Sequence, residues 1–265
     1  MKITRIPWYK KALGTIYPQI YSRGTGRADI NTNGEFAFLE WLVSYYQKNK
    51  ATFICFDVGA NIGNYSRAIL EASQKKSLPC EIHAFEPVSK SFTELKNIVM
   101  SSQNMFFPNN IALSDSTGEI TMHYDEAGSE MASIYKRNIK NHEFTKSERV
   151  KMLTGQEYVA NSKTKKINLL KIDVEGHELK VLNGFGDFLD AKNIDFIQFE
   201  YGGSSLDSHT TLKEIYGLLE SRGFVLGRLL RDRIELRKYR SLMENYDYSN
   251  YIAISGNLLA KGKIK

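Results

Sequence analysis

From residue 52 onward, short apolar runs of strand length alternate with segments whose apolar residues recur at helical spacing. That alternation restricts the fold severely. Parallel strands cannot be joined by tight turns, so each connection crosses over through a helix and the helices cover both sheet faces. Thr52–Val58, β-branched and aromatic, reads as the first strand. Ile62–Ala72 reads as a helix, Cys80–Phe85 as a strand, and Ser89–Ser101 as a helix with Ser89 as its N-cap. Met105–Asn110 leads into a third strand ending near Ala112. Glu119–Tyr124 and Arg149–Met152 read as added strands around a loop containing Gly128 and Ser129, and Gln156–Ser162 as a short helix. Ile167–Asp173, Glu178–Phe188, Ile194–Glu200 and Thr211–Arg222 continue the alternation as strand, helix, strand and helix, the last stopped by Gly223. Phe224–Leu230 and Tyr248–Ile254 have no helix between them, which implies an antiparallel edge. Ahead of the alternation, Glu35–Lys48 has Phe36, Leu39, Val43 and Tyr46 at helical spacing. The glycines and asparagines of residues 24–34 read as irregular.

Bulk properties narrow the function classes. The 265 residues are 42% hydrophobic and 25% charged, an ordinary globular balance. No run approaches the roughly 20 apolar residues that span a bilayer. No apolar stretch or small-residue cleavage site follows Lys2 and Arg5, so no secretory signal is expected. Cys55 and Cys80 fall in strands among apolar neighbours and read as buried, reduced thiols, which suggests a cytoplasmic setting. The net charge of +6 gathers between Lys136 and Lys166 and in Arg228, Arg231, Arg233, Arg237, Lys238 and Arg240. Such a face is ordinarily just solvated. It also suits an acidic small molecule or glycan, or peripheral contact with anionic lipid. No nucleic-acid-binding motif is present, so that partner class is not expected.

In open α/β sheets ligands bind beyond the carboxyl ends of the strands, where the strand order reverses. The first strand is followed by Asp57-Val58-Gly59-Ala60-Asn61-Ile62-Gly63. The dinucleotide fingerprint Gly-x-Gly-x-x-Gly is not met, because position 64 is asparagine. Asp57 would repel a pyrophosphate but suits a ligand with an amino group and a sulfonium, which favours S-adenosylmethionine over NAD. After the second strand, Glu86 follows the glycine loop at about the 20 residues expected of an acid that grips ribose hydroxyls. Asn110 and Ala112, after the third strand, could hold and cover an adenine, or could be an ordinary strand end. After the fourth strand stands Lys171-Ile172-Asp173-Val174-Glu175-Gly176-His177-Glu178, and after the fifth Glu200. Clustered carboxylates and a histidine at one rim shift each other's titration, a mark of functional sites. Tyr201, Tyr246, Tyr248 and Tyr251 read by default as core or sheet residues, with sugar stacking as the other possibility.

Three stretches, Phe56-Asp57-Val58-Gly59-Ala60-Asn61-Ile62-Gly63-Asn64-Tyr65-Ser66, Ala84-Phe85-Glu86-Pro87 and Leu170-Lys171-Ile172-Asp173-Val174-Glu175-Gly176-His177-Glu178, resemble the FkbM family of S-adenosylmethionine-dependent methyltransferases. The resemblance covers roughly residues 52–230. It implies a Rossmann-like class I methyltransferase fold: a mostly parallel seven-stranded sheet with an antiparallel edge strand and helices on both faces. It also implies S-adenosylmethionine as cofactor and O-methylation, often of a sugar in a glycan or glycolipid. One departure is visible: where the family often has a Leu-Asp-Asp-like segment, this chain has Leu153-Thr154-Gly155-Gln156-Glu157. The expected division is a lead-in and helix over 1–51, a methyltransferase domain over 52–256 and a basic tail over 257–265.

The expected reaction is in-line attack of a hydroxyl oxygen on the sulfonium methyl. Asp57, Gly59, Asn61, Gly63, Glu86, Asn110, Ala112 and Asp173 are the candidate cofactor-binding residues. Asp173 is the first candidate base, His177 its rival, and Glu175 and Glu200 the candidates for binding acceptor hydroxyls. No spacing demands a metal. Two other readings are weighed: a non-catalytic binding protein of the same fold, and an NAD-dependent sugar oxidoreductase or epimerase.

Overall fold

The computed structural model describes residues 33–49, 51–98, 104–124, 132–135 and 145–260. The loop at Gly128 and Ser129, most of the lead-in, the start of the first basic stretch and the end of the tail lie outside the described residues. Eleven strands are present among those described: β1 (Phe53–Val58), β2 (Cys80–Phe85), β3 (Met105–Asn109), β4 (Ala112–Ser114), β5 (Gly118–Tyr124), β6 (Lys146–Thr154), β7 (Ile167–Ile172), β8 (Ile194–Tyr201), β9 (Phe224–Leu229), β10 (Ile234–Leu236) and β11 (Ser249–Ser255). The helices are α1 (Glu35–Lys48), α2 (Asn64–Lys75), α3 (Ser89–Leu95), α4 (Gly155–Ser162), α5 (Glu178–Gly184), α6 (Gly203–Asp207), α7 (Leu212–Ser221) and α8 (Gly256–Ala260).

The main sheet runs β10-β9-β11-β8-β7-β1-β2-β3. Strands β3, β2, β1, β7 and β8 are parallel neighbours, and β11 is antiparallel to both β8 and β9. The expected Rossmann-like architecture is therefore present. The sheet has eight strands rather than seven, because three residues after β9, Ile234–Leu236, fold back on it as β10. The chain leaves β1 toward β2 and β3 and later returns to β1's other side as β7. The order thus reverses between β1 and β7.

Strand alternation builds one core on each face. Phe56 and Val58 join Leu170, Ile172, Ile197 and Phe199 beneath α4, α5 and α7. Phe53 and Cys55 join Ile82, Leu169 and Phe196 beneath α1 and α2. Helix α1 matches the span read from its spacing and buries Phe38, Leu39, Leu42, Val43 and Tyr46 in this second core. Truncating one such fully buried leucine to alanine typically costs about 2–5 kcal/mol. Both cysteines are free and buried.

Several local expectations are corrected. The N-cap of α3 is Val88, and the Ser89 hydroxyl instead bonds Glu148. Ala112 does not end β3 but starts β4, which pairs with β6 in a separate sheet ordered β4-β6-β5. Helix α5 stops at Gly184 and a 3-10 turn carries the chain to Phe188. A Cβ on Gly184 would lie 1.8 Å from the Ser114 carbonyl oxygen, so α5 and β4 pack backbone to side-chain-free backbone.

Candidate active site

The switch point between β1 and β7 is knitted from backbone. Asp173 N–H donates to the Val58 carbonyl at 2.9 Å, and the Gly59 and Ala60 N–H groups both donate to Phe85 O at 3.0 Å. Gly59 has φ +82°, and a Cβ there would sit 1.7 Å from the Asp173 carbonyl oxygen. Glycine is thus required by the approach of the neighbouring strand's exit. Gly63, with φ +88°, caps α2, and a Cβ there would meet Ile98 at 2.4 Å.

Two cavities flank this junction. The first is lined by Gly59, Asn61, Glu86, Ala112, Asp173, Glu175 and His177 among apolar residues of β4, β5 and their neighbours. The second is more polar and is lined by Glu35, Asn64, Tyr65, Lys171, Glu200 and Tyr248. Gly59, Asn61, Asp173 and Glu175 line both.

In the first cavity, Glu86 is buried and both its oxygens are engaged: Oε2 accepts from Asn61 N–H at 2.9 Å and Oε1 from Val88 N–H at 2.8 Å. Burial raises its carboxyl to about 7, against the lowering effect of those two amides. The Asn61 side-chain oxygen is buried with no hydrogen-bond partner. His177 is also buried. Its Nε2 lies 2.8 Å from the Ser114 hydroxyl and its Nδ1 3.2 Å from the Tyr135 hydroxyl. Burial lowers its ring to about 4, so it is neutral at pH 7 with both nitrogens occupied.

In the second cavity, Lys171 Nζ lies 2.9 Å from Asp173 Oδ2, 3.7 Å from Asp57 Oδ1 and 5.0 Å from the Tyr65 ring centre. Burial alone would push this ammonium down; the charges of Asp173, Asp57 and Glu35 outweigh it and hold it up. Asp57 is fully buried behind the loop, where Ser66 donates to its Oδ2 at 2.7 Å, and burial raises its carboxyl. Tyr65 O–H donates to Gln198, and Gln198 in turn donates to Glu35. Tyr248 O–H donates to Glu200, whose carboxyl is pushed well up by burial and by the Asp173 charge.

The structure therefore gathers Gly59, Asn61, Glu86, Ala112, Asp173, Glu175 and His177 at one cleft and Glu200 at its neighbour. Asp57 and Gly63 stand behind the loop. Asn110 holds the turn beyond β2 by donating to the Glu86 and Pro87 carbonyls at 3.0 and 2.9 Å. Of the four tyrosines, Tyr201 and Tyr251 are core residues and Tyr248 reaches a cavity. Sequence spacing does not single out Lys171, Tyr65 or Glu35. For Lys171 a signal exists: it is the one ionisable side chain in an otherwise uncharged, mostly apolar strand. Glu35 has none, because it comes from before the alternating region. Among the described residues no group of three or more histidines, cysteines or acids could hold a metal ion, and no helix is long and apolar enough to cross a membrane.

A doubly wound sheet with a glycine turn at the end of β1 and an acid at the end of β2 is a Rossmann-like arrangement, and the family match makes it that of an S-adenosylmethionine-dependent methyltransferase. The Methyltransferase FkbM domain model matches residues 57–226, well over half of the chain, and the chain belongs to that family. The hexuronic acid methyltransferase AglP of Haloferax volcanii is 28% identical over 185 residues, covering 68% of this chain and 72% of that protein. Similar solved structures include a SAM-dependent methyltransferase from Agrobacterium tumefaciens, at 8% identity and a TM-score of 0.43, over 84% of this chain and 62% of that one. The plantazolicin methyltransferase BpumL in complex with SAH is similar at 9% identity and a TM-score of 0.43, over 93% of this chain and 90% of that one. As a methyltransferase, the chain acts on a small-molecule or sugar acceptor; the non-catalytic and NAD-dependent readings are not favoured.

Proposed function

We propose that this chain methylates a hydroxyl of an acidic sugar, free or in a glycan, and that residues 52–256 form the domain that does so. The observation that carries the reading is the pair of cavities, one largely apolar and one polar, that meet at Gly59, Asn61, Asp173 and Glu175. The proposed cofactor site is the apolar cleft. Its walls suit a purine, Glu86 offers a carboxylate to a ribose diol, and the unpartnered Asn61 oxygen offers an acceptor to a ligand N–H or O–H. When bound, S-adenosylmethionine supplies a methyl group on a positively charged sulfur, already activated for displacement.

The protein's proposed contribution is alignment and a proton acceptor at the junction. Asp173 Oδ2 is held by Lys171, so Oδ1 is the atom proposed to orient the acceptor hydroxyl and take its proton. Glu175, Glu200 and Tyr248 are proposed to bind neighbouring hydroxyls. With burial raising its carboxyl, Glu200 is suited to donate rather than only accept. His177 fits the base role less well, because both ring nitrogens are committed. Its proposed role is as a cleft wall. Asp57 is proposed to act through Lys171, and Gly63 and Asn110 by shaping the loops.

An acidic acceptor is supported by the hexuronic acid named for the Haloferax relative and by the basic connection from Arg231 to Arg240. That connection leaves β9 at the rim carrying the site and would draw an anion toward it. The proposed setting is the cytoplasm, consistent with two free thiols. The test is methyl transfer from labelled donor to a panel of hexuronates and neutral sugars, with calorimetry of donor binding. Asp173→Asn is expected to keep donor affinity within about threefold and lose at least about 100-fold in turnover, while His177→Asn loses less than about tenfold. Equal or reversed losses would exchange the two roles.

A further inference from the structure

We infer that Lys171 is a positioning residue of this site: its buried ammonium fixes one oxygen of Asp173 and thereby aims the other into the space shared by the two cavities. The inference rests on the methyl-transfer reading above.

Lys171 is the fifth of the six residues of β7, all of them buried. A lysine there replaces a residue that packing would make aliphatic. Four separate elements enclose its ammonium. Asp57 comes from β1, the Tyr65 ring from α2, and the Asp173 carboxylate from the exit of β7. The fourth, Glu35 at the start of α1, is tied in through Gln198 of β8 and further fixed by Asn33, whose amide donates to it at 2.6 Å. Glu200 and Tyr248 complete the charged and titratable lining. A side chain so clamped has little rotational freedom left, and what it touches is held equally firmly.

A simpler role would be neutralisation of buried Asp57. The distances argue against that as the whole account. Asp57 already accepts from Ser66 at 2.7 Å, and Lys171 stands 3.7 Å from its other oxygen. The close contact, 2.9 Å, is with Asp173, whose side chain is 31% exposed. A carboxylate with that much access to water needs no buried cation for its solvation. The contact fixes its direction. Misplacing a reacting group by about 1 Å can lower turnover about 100-fold.

The test separates positioning from neutralisation with Lys171→Met and the double variant Lys171→Met/Asp57→Asn. Each is measured for thermal midpoint, for turnover against donor KM, and for the NMR shift of bound donor isotope-labelled at its methyl carbon. That last readout needs no acceptor, and Asp173→Asn calibrates it. Lys171→Met is expected to unfold earlier, because it strands a buried charge, and to lose about 100-fold in turnover with donor KM within threefold. Its methyl resonance is expected to move toward that of Asp173→Asn. The double variant is expected to regain the midpoint but neither the turnover nor the resonance. Recovery of all three together would overturn the inference, reducing Lys171 to a neutraliser, as would a wild-type resonance in the single variant. Should the single variant not fold, the double variant alone decides. Failure of the unaltered protein to bind the donor is a different result, and sinks the methyl-transfer reading itself.

Discussion

Glu86 makes the donor site sensitive to pH in a direction that can be worked out. Its carboxyl is raised to about 7 chiefly by burial. A diol donates to a carboxylate better than to a neutral carboxyl, so nucleoside binding should draw on the ionised form. With a free-protein value near 7, about one molecule in eleven is ionised at pH 6 and about ten in eleven at pH 8. Affinity is therefore expected to rise about tenfold across that range, about 1.4 kcal/mol, and to level off above it. Adenosine is the right probe, because it lacks the amino group of S-adenosylmethionine, which titrates near 8 itself. Calorimetry at pH 6, 7 and 8 measures the slope. Glu86→Gln should bind more weakly at pH 8 and lose the slope. The control matters because burial raises a second carboxyl, that of Glu178, to about 7 as well. A flat profile in the unaltered protein, or the same slope in Glu86→Gln, would refute the reasoning.

Two further outcomes follow from the same geometry. Glu178 is fully buried, accepts from Val174 and Gly176 N–H, and has its carboxyl raised to about 7 by burial. Its folded value exceeds its unfolded one, so its share of stability is complete below about pH 4.5 and is lost as pH rises through 7. Glu178→Gln should therefore gain about 2 kcal/mol on the unaltered protein between pH 5 and pH 8, roughly 4–8 °C in thermal midpoint; a constant difference would count against it. Gly59→Ala places a Cβ 1.7 Å from a backbone oxygen at positive φ. It should lower the midpoint by several degrees and abolish measurable donor binding, and normal calorimetry would contradict this.

The sheet was legible because its central strands are buried on both faces and therefore read as mainly apolar, β-branched or aromatic runs bounded by turns. Helix α1 was legible from Leu39, Val43 and Tyr46. The three-residue strands β4 and β10 were not, since so short a segment has no period to detect. Helix α6, five residues from Gly203, hides among Gly and Ser that read as loop. At the site, the strand ends marked residues that the fold brings together at one junction, because parallel strands all leave the sheet at the same rim. What spacing could not supply is which side of the loop each group occupies. Asp57 shares its face of β1 with Phe53 and Cys55 and so lies beneath α2, where Ser66 and Lys171 receive it. His177 likewise sits in the expected cluster, yet only the fold shows Ser114 and Tyr135 occupying both its nitrogens.

Glu35 and Tyr248 stand on either side of the stretch that the family model matches, and both border the polar cavity. The shared segment brings the cavity its lysine and most of its acids, while part of the enclosure is built by flanking chain. Two proteins could thus keep an identical matched segment and still admit different molecules, simply by ending their common part against different neighbours.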